Sequence, residues 1–532
     1  MKDGASVAGT HEAQARARRS PAPIGRRSLI ASIAAAAVAS TLSGCGLMAG
    51  IRDFLPWGRA DRSAPAPRAG LADEALYPHL LLPEASFFTP APATKPDKKV
   101  FAHYMVALPI FGGPGGGVDG LKQEILMAQS MGLDGFALNV GVWLSDTRYG
   151  THYQDVVTNM FEAAQELGTG FALFFSMDMT GLDYPDIIDM MTRFARHPNH
   201  FVHDGRPVLS TYGGAKTDDD DDPDAAAWWR HRVVDPLKAK GIDVFFCPAF
   251  DRVLDAIEPE AAAGEVAHWG DLIQGMTNWR ILEIINNDKD TTPARLAAAY
   301  NEAYAKALAS ESKLLMACVC NLYWGSRQPT AGRRYFEFEG GIGIDVQWRS
   351  IIEIADPPWV EILTWNDLNE SYMMPIDDPI KYNPWGPPLG WYEDHRAYGE
   401  LTRYYIQWFK TGAPPQIAKD ALFYFYRTQP MAMKARNDPA GPVDWFLGPV
   451  ADMIYVTTCL KDAAVLTVSS GSTRLSYNLL PGLQHTRVPF QPGVQAFSLS
   501  RHGATFASTG GRDIITSAEL YDFWNTTGFV EV

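Results

Sequence analysis

Trp359-Val360-Glu361-Ile362-Leu363-Thr364-Trp365-Asn366-Asp367-Leu368-Asn369-Glu370-Ser371 is the stretch from which the rest of the chain can be read. It opens as a buried strand, with Val360, Ile362 and Leu363 supplying the apolar weight. It closes on two carboxylates, Asp367 and Glu370, flanked by Trp365 and Asn366. Side chains three positions apart fall on opposite faces of a strand but on one face of a helical turn, so the chain is expected to turn here. A strand that stops in paired acids beside an aromatic ring suits glycoside hydrolysis, in which one carboxyl group protonates the departing oxygen and a second activates water or attacks the sugar. The plainer structural reading makes the two acids caps of the last helix of the domain.

Working outward, short apolar runs alternate with amphipathic segments of helical period. Strands are expected at Val100–Leu108, Gly135–Val140, Phe171–Met179, Pro207–Tyr212, Asp243–Phe250, Asp271–Met276, Lys313–Tyr323 and Trp359–Trp365. Helices are expected at Gly120–Gly132, Tyr153–Gly168, Pro185–His197, Ala225–Gly241 and Pro293–Ser310. Eight strands separated by crossovers predict an α/β fold of the parallel (β/α)8, or TIM-barrel, type over residues 100–412. An open doubly wound sheet is the alternative, but no G-x-G-x-x-G follows an early strand. The run Gly112-Gly113-Pro114-Gly115-Gly116-Gly117 is broken by proline and lacks a phosphate-binding lysine, so it reads as a mobile loop over the cleft. After Gly412 short strands at turn-punctuated intervals, Phe423–Tyr426, Met453–Thr458, Ala463–Ser469, Thr473–Asn478 and Val494–Leu499, predict an antiparallel β-sandwich over residues 413–532.

In such a barrel the reactive groups sit where the strands end. Those ends collect His103, Tyr104, Asn139, Asp178, Tyr212, Asp251, Asn278, Tyr323 and Trp324, then Trp365, Asn366, Asp367 and Glu370. Aromatic rings that stack on sugars, together with carboxylates and amides that bind hydroxyls, are the mixture a glycan cleft needs. Asp367 and Glu370 are the expected catalytic pair, with the acid being whichever sits in the less polar surroundings. Asp178, His103, Tyr104, Asn139, Tyr212, Asp251, Tyr323, Trp324, Trp365 and Asn366 are expected to bind substrate, and Trp269 is a further candidate platform. Asp134 precedes its strand and is expected at the opposite, stabilising end.

Four segments in order, V-F-A-H-Y-M-V at Val100–Val106, G-L-D-G-F-A-L-N at Gly132–Asn139, L-F-F-S-M-D-M at Leu173–Met179 and T-W-N-D-x-x-E-S at Thr364–Ser371, resemble the α-1,3-glucanases called mutanases, glycoside hydrolase family 71. The resemblance implies the barrel, a β domain after it, a catalytic pair at Asp367 and Glu370, and inversion at the anomeric carbon without a cofactor. The same T-W-N-D-x-x-E pattern also resembles a motif of α-mannan-cleaving barrels. A polysaccharide-binding protein without turnover is the rival from another class.

The formal charge is −15. Residues 1–44 hold six basic and two acidic side chains, leaving a body of −19 that disfavours nucleic acid. Arg26-Arg27 followed by an Ala-rich run and by Leu42-Ser43-Gly44-Cys45 reads as a twin-arginine leader ending in a lipobox, with Cys45 acylated and the protein exported as a membrane-anchored lipoprotein. Gly46 after that cysteine points to an outer membrane. Residues 45–99, rich in Pro and Ala, read as an extended tether, with Leu76 to Phe88 apolar enough to lie on the enzyme surface. The other cysteines, Cys247, Cys318, Cys320 and Cys459, lack metal spacing and are expected as buried thiols. Asp218–Asp222 reads as a solvated loop. A monomer is expected.

Overall fold

The computed structural model describes residues 74–84, 86–113, 116–215, 224–250, 258–279, 291–325, 333–375, 393–439, 441–447 and 449–532, all within one compact unit, Gly46–Val532. The leader with Cys45, the acidic run Asp218–Asp222 and the candidate Asp251 lie outside the described residues.

Eight parallel strands follow one another as expected: β1 Lys99–Met105, β2 Gly135–Val140, β3 Ala172–Asp178, β4 Arg206–Tyr212, β5 Phe245–Phe246, β6 Gly275–Thr277, β7 Leu314–Cys320 and β8 Trp359–Leu363. They pair side by side as β5-β4-β3-β2-β1-β8-β7-β6. Between the two ends of that order, Gln274 N donates to Phe246 O at 2.9 Å and Thr277 N to Pro248 O at 3.0 Å. The sheet is curled, because same-face residues of seven strands converge in one cluster: Phe101, Ala137, Phe174, Val208, Phe245, Met316 and Trp359. That cluster fills the concave face near the strand starts.

Strand alternation then fixes what comes above it. Two residues further along each strand, the concave face carries His103, Asn139, Ser176, Ser210, Thr277, Cys318 and Glu361, a layer that is mostly polar. Two further still come Asp178 and Tyr212, paired in register. An apolar floor under a polar layer under a mouth is thus built into the period-2 pattern of the strands.

The convex face packs on helices, among them Gly117–Ser130, Arg148–Leu167, Tyr184–Phe194, Pro293–Ser310, Gly341–Ser350 and Arg396–Thr411. Local chemistry sets their ends. Asp183 N donates to Asp186 at 3.0 Å while the Asp183 carboxylate accepts from Tyr184 N at 2.7 Å, which starts Tyr184–Phe194. Gly168, at φ +60°, ends Arg148–Leu167 in the left-handed region. Asp134 lies at the strand starts, accepting from Val100 N and from Lys410 Nζ, each at 2.7 Å, and so ties β1 to the helix Arg396–Thr411.

Two expectations change here. Within the Pro/Ala-rich stretch, the segment Leu76 to Phe88, expected to lie on the enzyme surface, goes deeper than that: Leu80, Leu82, Phe87 and Phe88 are buried in the main core and Phe88 bridges Ile417. Burial of its four large apolar side chains offsets much of the chain entropy lost on ordering the segment, and backbone bonds such as Thr89 N to Gln416 O at 2.8 Å and Ala418 N to Phe87 O at 2.7 Å add to it. In the glycine run, Gly112 and Gly116 are packed, a Cβ on Gly112 falling 2.3 Å from Leu121 and one on Gly116 1.7 Å from Phe111 O, while Gly117 has open space around it. A Cβ on Gly120 would come within 1.8 Å of Phe111 O, so the helix Gly117–Ser130 closes directly onto that loop.

Glu124 of the same helix holds the loop. Its Oε1 accepts the backbone N–H groups of Ile110 and Phe111 at 2.9 Å and Gly112 at 3.3 Å. Full burial pushes its carboxyl up to about 7 against the pull of those bonds. A carboxyl raised in the folded state stabilises fully below its unfolded value near 4.3, and that contribution is lost as pH rises through 7. Glu124→Gln does not titrate. Denaturant midpoints at pH 4.5 and pH 8 should therefore move in favour of the variant, relative to the parent, by up to about 3 kcal/mol on going to the higher pH. A pH-independent difference would contradict the assignment.

Beyond Gly412 the described residues form, apart from the strand Val443–Leu447 paired in parallel with Arg333–Phe336, two four-stranded antiparallel sheets. One runs Gly482–Pro489, Met453–Leu460, Ala421–Arg427, Asn525–Glu531, the other Thr473–Leu479, Ala464–Ser470, Gly493–Arg501, Ala504–Ile514. Leu422, Tyr424, Ile454 and Val456 of the first share a core with Leu466, Val468, Phe497 and Leu499 of the second. The opposite face of the first sheet, with Phe423, Phe425 and Tyr455, belongs to the main core.

Candidate active site

β8 feeds a tight hairpin rather than a helix. Asn366–Asp367 pairs antiparallel with Ser371–Tyr372, with Asp367 opposite Ser371, and residues 368–370 make the turn. Thr364 staples it, its Oγ1 accepting from Asp367 N at 2.8 Å while donating to Ser371 O. Asn366 anchors it to the end of β1: Oδ1 accepts from Met105 N at 2.7 Å, and Nδ2 donates to Met105 O at 3.1 Å and Leu108 O at 2.8 Å. Trp365 N donates to His103 O at 2.8 Å. The hairpin therefore sits rigidly over the end of β1, and its turn brings Asp367 and Glu370 together.

Their environments differ. Asp367 is buried, and its carboxyl is held well above the usual carboxylate range, chiefly by burial and then by the negative charge of Glu370, against the pull of the Asn369 and Glu370 amides. Glu370 is half-buried. The Tyr323 phenol donates to the Glu370 carboxylate, and that bond, the Glu370 charge and above all burial keep the phenol protonated far above its ordinary range. Trp324 N donates to Glu370 O at 2.7 Å, so the short strand Tyr323–Trp324 holds the turn from the other side.

Around the mouth, Asp178 lies where β3 ends. Its Oδ1 accepts from Thr180 N at 3.0 Å and Thr180 Oγ1 at 2.6 Å, while Oδ2 lies beside Gly141 and near Tyr153. Tyr212, half-buried, meets Trp279 with ring centroids 4.4 Å apart. Asn139 is on the same concave face. His103 is fully buried in the layer below, bonded through Nδ1 to Glu361 at 2.8 Å.

Several expected binders are turned elsewhere. Tyr104 points to the convex side, fully buried against Phe136 and beside Glu124, because it alternates with His103 along β1. Trp365 packs on Phe136 at 5.5 Å and has no exposed face. Trp324 is covered by Phe523 at 5.0 Å. Trp269 is buried against Phe250 and donates to Glu265. Asn366 has its amide committed to the backbone of residues 105–108, and Asn278 donates to Asn301 on the helix Pro293–Ser310. These residues position or pack; their surfaces are not free for a sugar.

Sequence reasoning missed Glu361 and Trp279. An acid in the middle of the apolar strand W-V-E-I-L was itself the signal, since a buried carboxylate requires a partner. Trp279 follows the end of β6, two positions past Thr277, which is where the strand-end rule should have looked.

Residues 96–531 match the description Glycosyl hydrolase family 71. The chain is 28% identical over 446 residues to a glucan endo-1,3-alpha-glucosidase of Schizosaccharomyces pombe, covering 82% of this chain and 95% of the relative. It is 26% identical over 440 residues to a mutanase of Penicillium rubens, covering 80% and 87%. Among solved structures, a GH99 endo-alpha-mannosidase of Bacteroides thetaiotaomicron aligns at TM-score 0.43 and 15% identity, over 59% of this chain and 98% of that one. The match to the family runs through the curled sheet, the acid-bearing hairpin and the C-terminal sheets alike, so this chain is a glycoside hydrolase and belongs to glycosyl hydrolase family 71.

Proposed function

We propose that the protein hydrolyses α-1,3-glucan, or a closely related α-linked polysaccharide, by single displacement with inversion, using Asp367 as general acid and Glu370 as general base. The observation that carries this reading is the pairing of two carboxyl groups on one rigid hairpin turn in unlike surroundings. The buried Asp367, kept protonated by burial and by its neighbour's charge, donates to the departing glycosidic oxygen. Glu370, half-exposed and accepting from Tyr323, takes a proton from the water that attacks the anomeric carbon. Asp178, on the same concave face, binds a hydroxyl of the bound sugar. The substrate follows from the family and from relatives whose names carry α-1,3-glucan.

The backbone bonds between β5 and β6 support closure of the sheet into a (β/α)8 barrel, and we divide the chain into a leader (1–44), a connecting segment (45–99), the catalytic barrel (100–412) and a β-sandwich (413–532). The twin-arginine pair and the Leu-Ser-Gly-Cys motif support export and acylation at Cys45. The expected result is release of sugars from α-1,3-glucan, and not from α-mannan, with the first-formed anomer seen by NMR opposite in configuration to the linkage. Retained configuration overturns the mechanism. Release from mannan alone overturns the substrate, and binding without release overturns both.

A further inference from the structure

Below the mouth, the polar layer of the concave face contains a chain of contacts that the two-carboxylate mechanism does not use. His103 Nδ1 bonds Glu361 Oε1 at 2.8 Å, and the other oxygen, Oε2, accepts from Thr277 Oγ1 at 3.2 Å, itself 3.2 Å from Cys318 Sγ. With Glu361 accepting, the Nδ1 of His103 carries the proton. The His103 ring lies against Trp279 with centroids 5.1 Å apart, and Trp279 in turn reaches Tyr212 at the mouth.

Two polar atoms of this assembly, His103 Nε2 and Trp279 Nε1, are buried without a hydrogen-bond partner among the described residues. Leaving such an atom unpaired in the interior is unfavourable, and here two of them lie on adjoining rings above the apolar cluster of the concave face. Ser210 Oγ, in the same layer on β4, is also unpaired. An arrangement of fixed donors and acceptors one layer beneath the strand ends that carry Asp178 and Tyr212 is complementary to hydroxyl groups, each of which both donates and accepts.

We propose that His103 Nε2 and Trp279 Nε1 form the floor of the sugar subsite and take hydroxyl groups of the glucosyl unit whose bond is cleaved, Tyr212 shifting to admit it. His103 and Trp279 are the binding residues. Glu361, which touches no substrate, is a positioning residue that fixes the imidazole in the tautomer and orientation the subsite needs. The inference rests on the glucan-hydrolase reading above and deepens it.

The test compares parent, His103→Asn, Trp279→Phe and Glu361→Gln on α-1,3-linked gluco-oligosaccharides and on the same oligosaccharides with single hydroxyls replaced by hydrogen. Asparagine keeps a donor for Glu361 and removes Nε2; phenylalanine keeps a ring and removes Nε1. Each is expected to lower kcat/KM about tenfold or more on the full substrate, with a thermal midpoint near that of the parent. On the one deoxy substrate lacking the recognised hydroxyl, parent and variant should become equal. Glu361→Gln should lose kcat/KM to a smaller extent and show the same preference among deoxy substrates.

If His103→Asn does not fold, Trp279→Phe decides alone. Variants that keep parental kcat/KM, or that lose it equally on every deoxy substrate, overturn the floor and make the pair a packing contact. Parent protein that releases no sugar from the full α-1,3-substrate overturns the functional reading and this inference with it. Parental activity with indifferent variants overturns this inference alone.

Discussion

Asp367→Asn should lower kcat on α-1,3-glucan by roughly 10²–10⁴-fold, the range for losing the proposed general acid, while glucan affinity should stay near that of the parent. Glu370→Gln should fall in the same range for loss of the proposed base. The physical reason lies in the asymmetry of the pair. Asparagine preserves the backbone staple to Thr364 and nearly the shape of the side chain but has no proton to give a leaving oxygen. Because burial and the charge of Glu370 together keep the Asp367 carboxyl raised, activated substrates with good leaving groups should recover much of the Asp367→Asn loss and none of the Glu370→Gln loss. Tyr323→Phe should fall between parent and Glu370→Gln, since it removes one hydrogen bond to a charged acceptor, about 1.5–3 kcal/mol. Steady-state kinetics on polymer and on aryl α-glucosides check all three. Recovery in Glu370→Gln instead of Asp367→Asn would exchange the two assignments.

The second large effect is on stability. Arg427 is fully buried at the end of the strand Ala421–Arg427, donating to Gln429 O and Ala451 O at 2.8 Å and to Asp452 at 3.1 Å, with Glu337 at 3.7 Å. Its guanidinium lies over Tyr335 and Phe523, 5.3 and 5.5 Å from the ring centroids. Removing one partner of a buried pair strands the other, so Arg427→Ala should cost roughly 3–5 kcal/mol. Lysine keeps the charge but not the planar fork, and Arg427→Lys should fall between the two. Denaturant unfolding measures this, and a loss under about 1 kcal/mol would mean that Glu337 and the carbonyls rearrange to satisfy themselves.

The consequence reaches the site. Phe523, under the guanidinium, packs on Trp324, whose backbone holds Glu370, and Trp524 packs on Tyr372 of the acid-bearing hairpin at 4.8 Å. The segment just before the strand Asn525–Glu531 therefore packs against what holds the two acids, which gives the C-terminal part of the chain a structural task.

All eight strands of the curled sheet were legible from their own residues, since a buried parallel strand announces itself as an apolar run and its crossover helix as a 3.6-residue period. The helix Pro293–Ser310 and the strand Gly135–Val140 have the limits their sequence predicted. Four strands beyond Gly412, Val443–Leu447, Gly482–Pro489, Ala504–Ile514 and Asn525–Glu531, were not, in part because half-exposed, polar-rich strands such as Ala504–Ile514 carry little apolar signal. The segment Leu76 to Phe88 was legible as apolar enough to lie on the enzyme surface, but not as part of the core, because only distant partners such as Tyr404 and Phe423 bury Phe87.

By itself the sequence determined the alternation of strands and helices and the two acids at the end of the eighth strand, because these depend on local periodicity and on residue type. Only the tertiary structure decided which strand-end side chains face inward. Tyr104 and His103 are neighbours in sequence and lie on opposite faces of one strand. Trp365 sits beside Asp367 yet turns into the core, and Glu361 pairs with a histidine 258 residues away. Facing is set by register across the sheet, and register is a property of the partners of a strand rather than of its own residues.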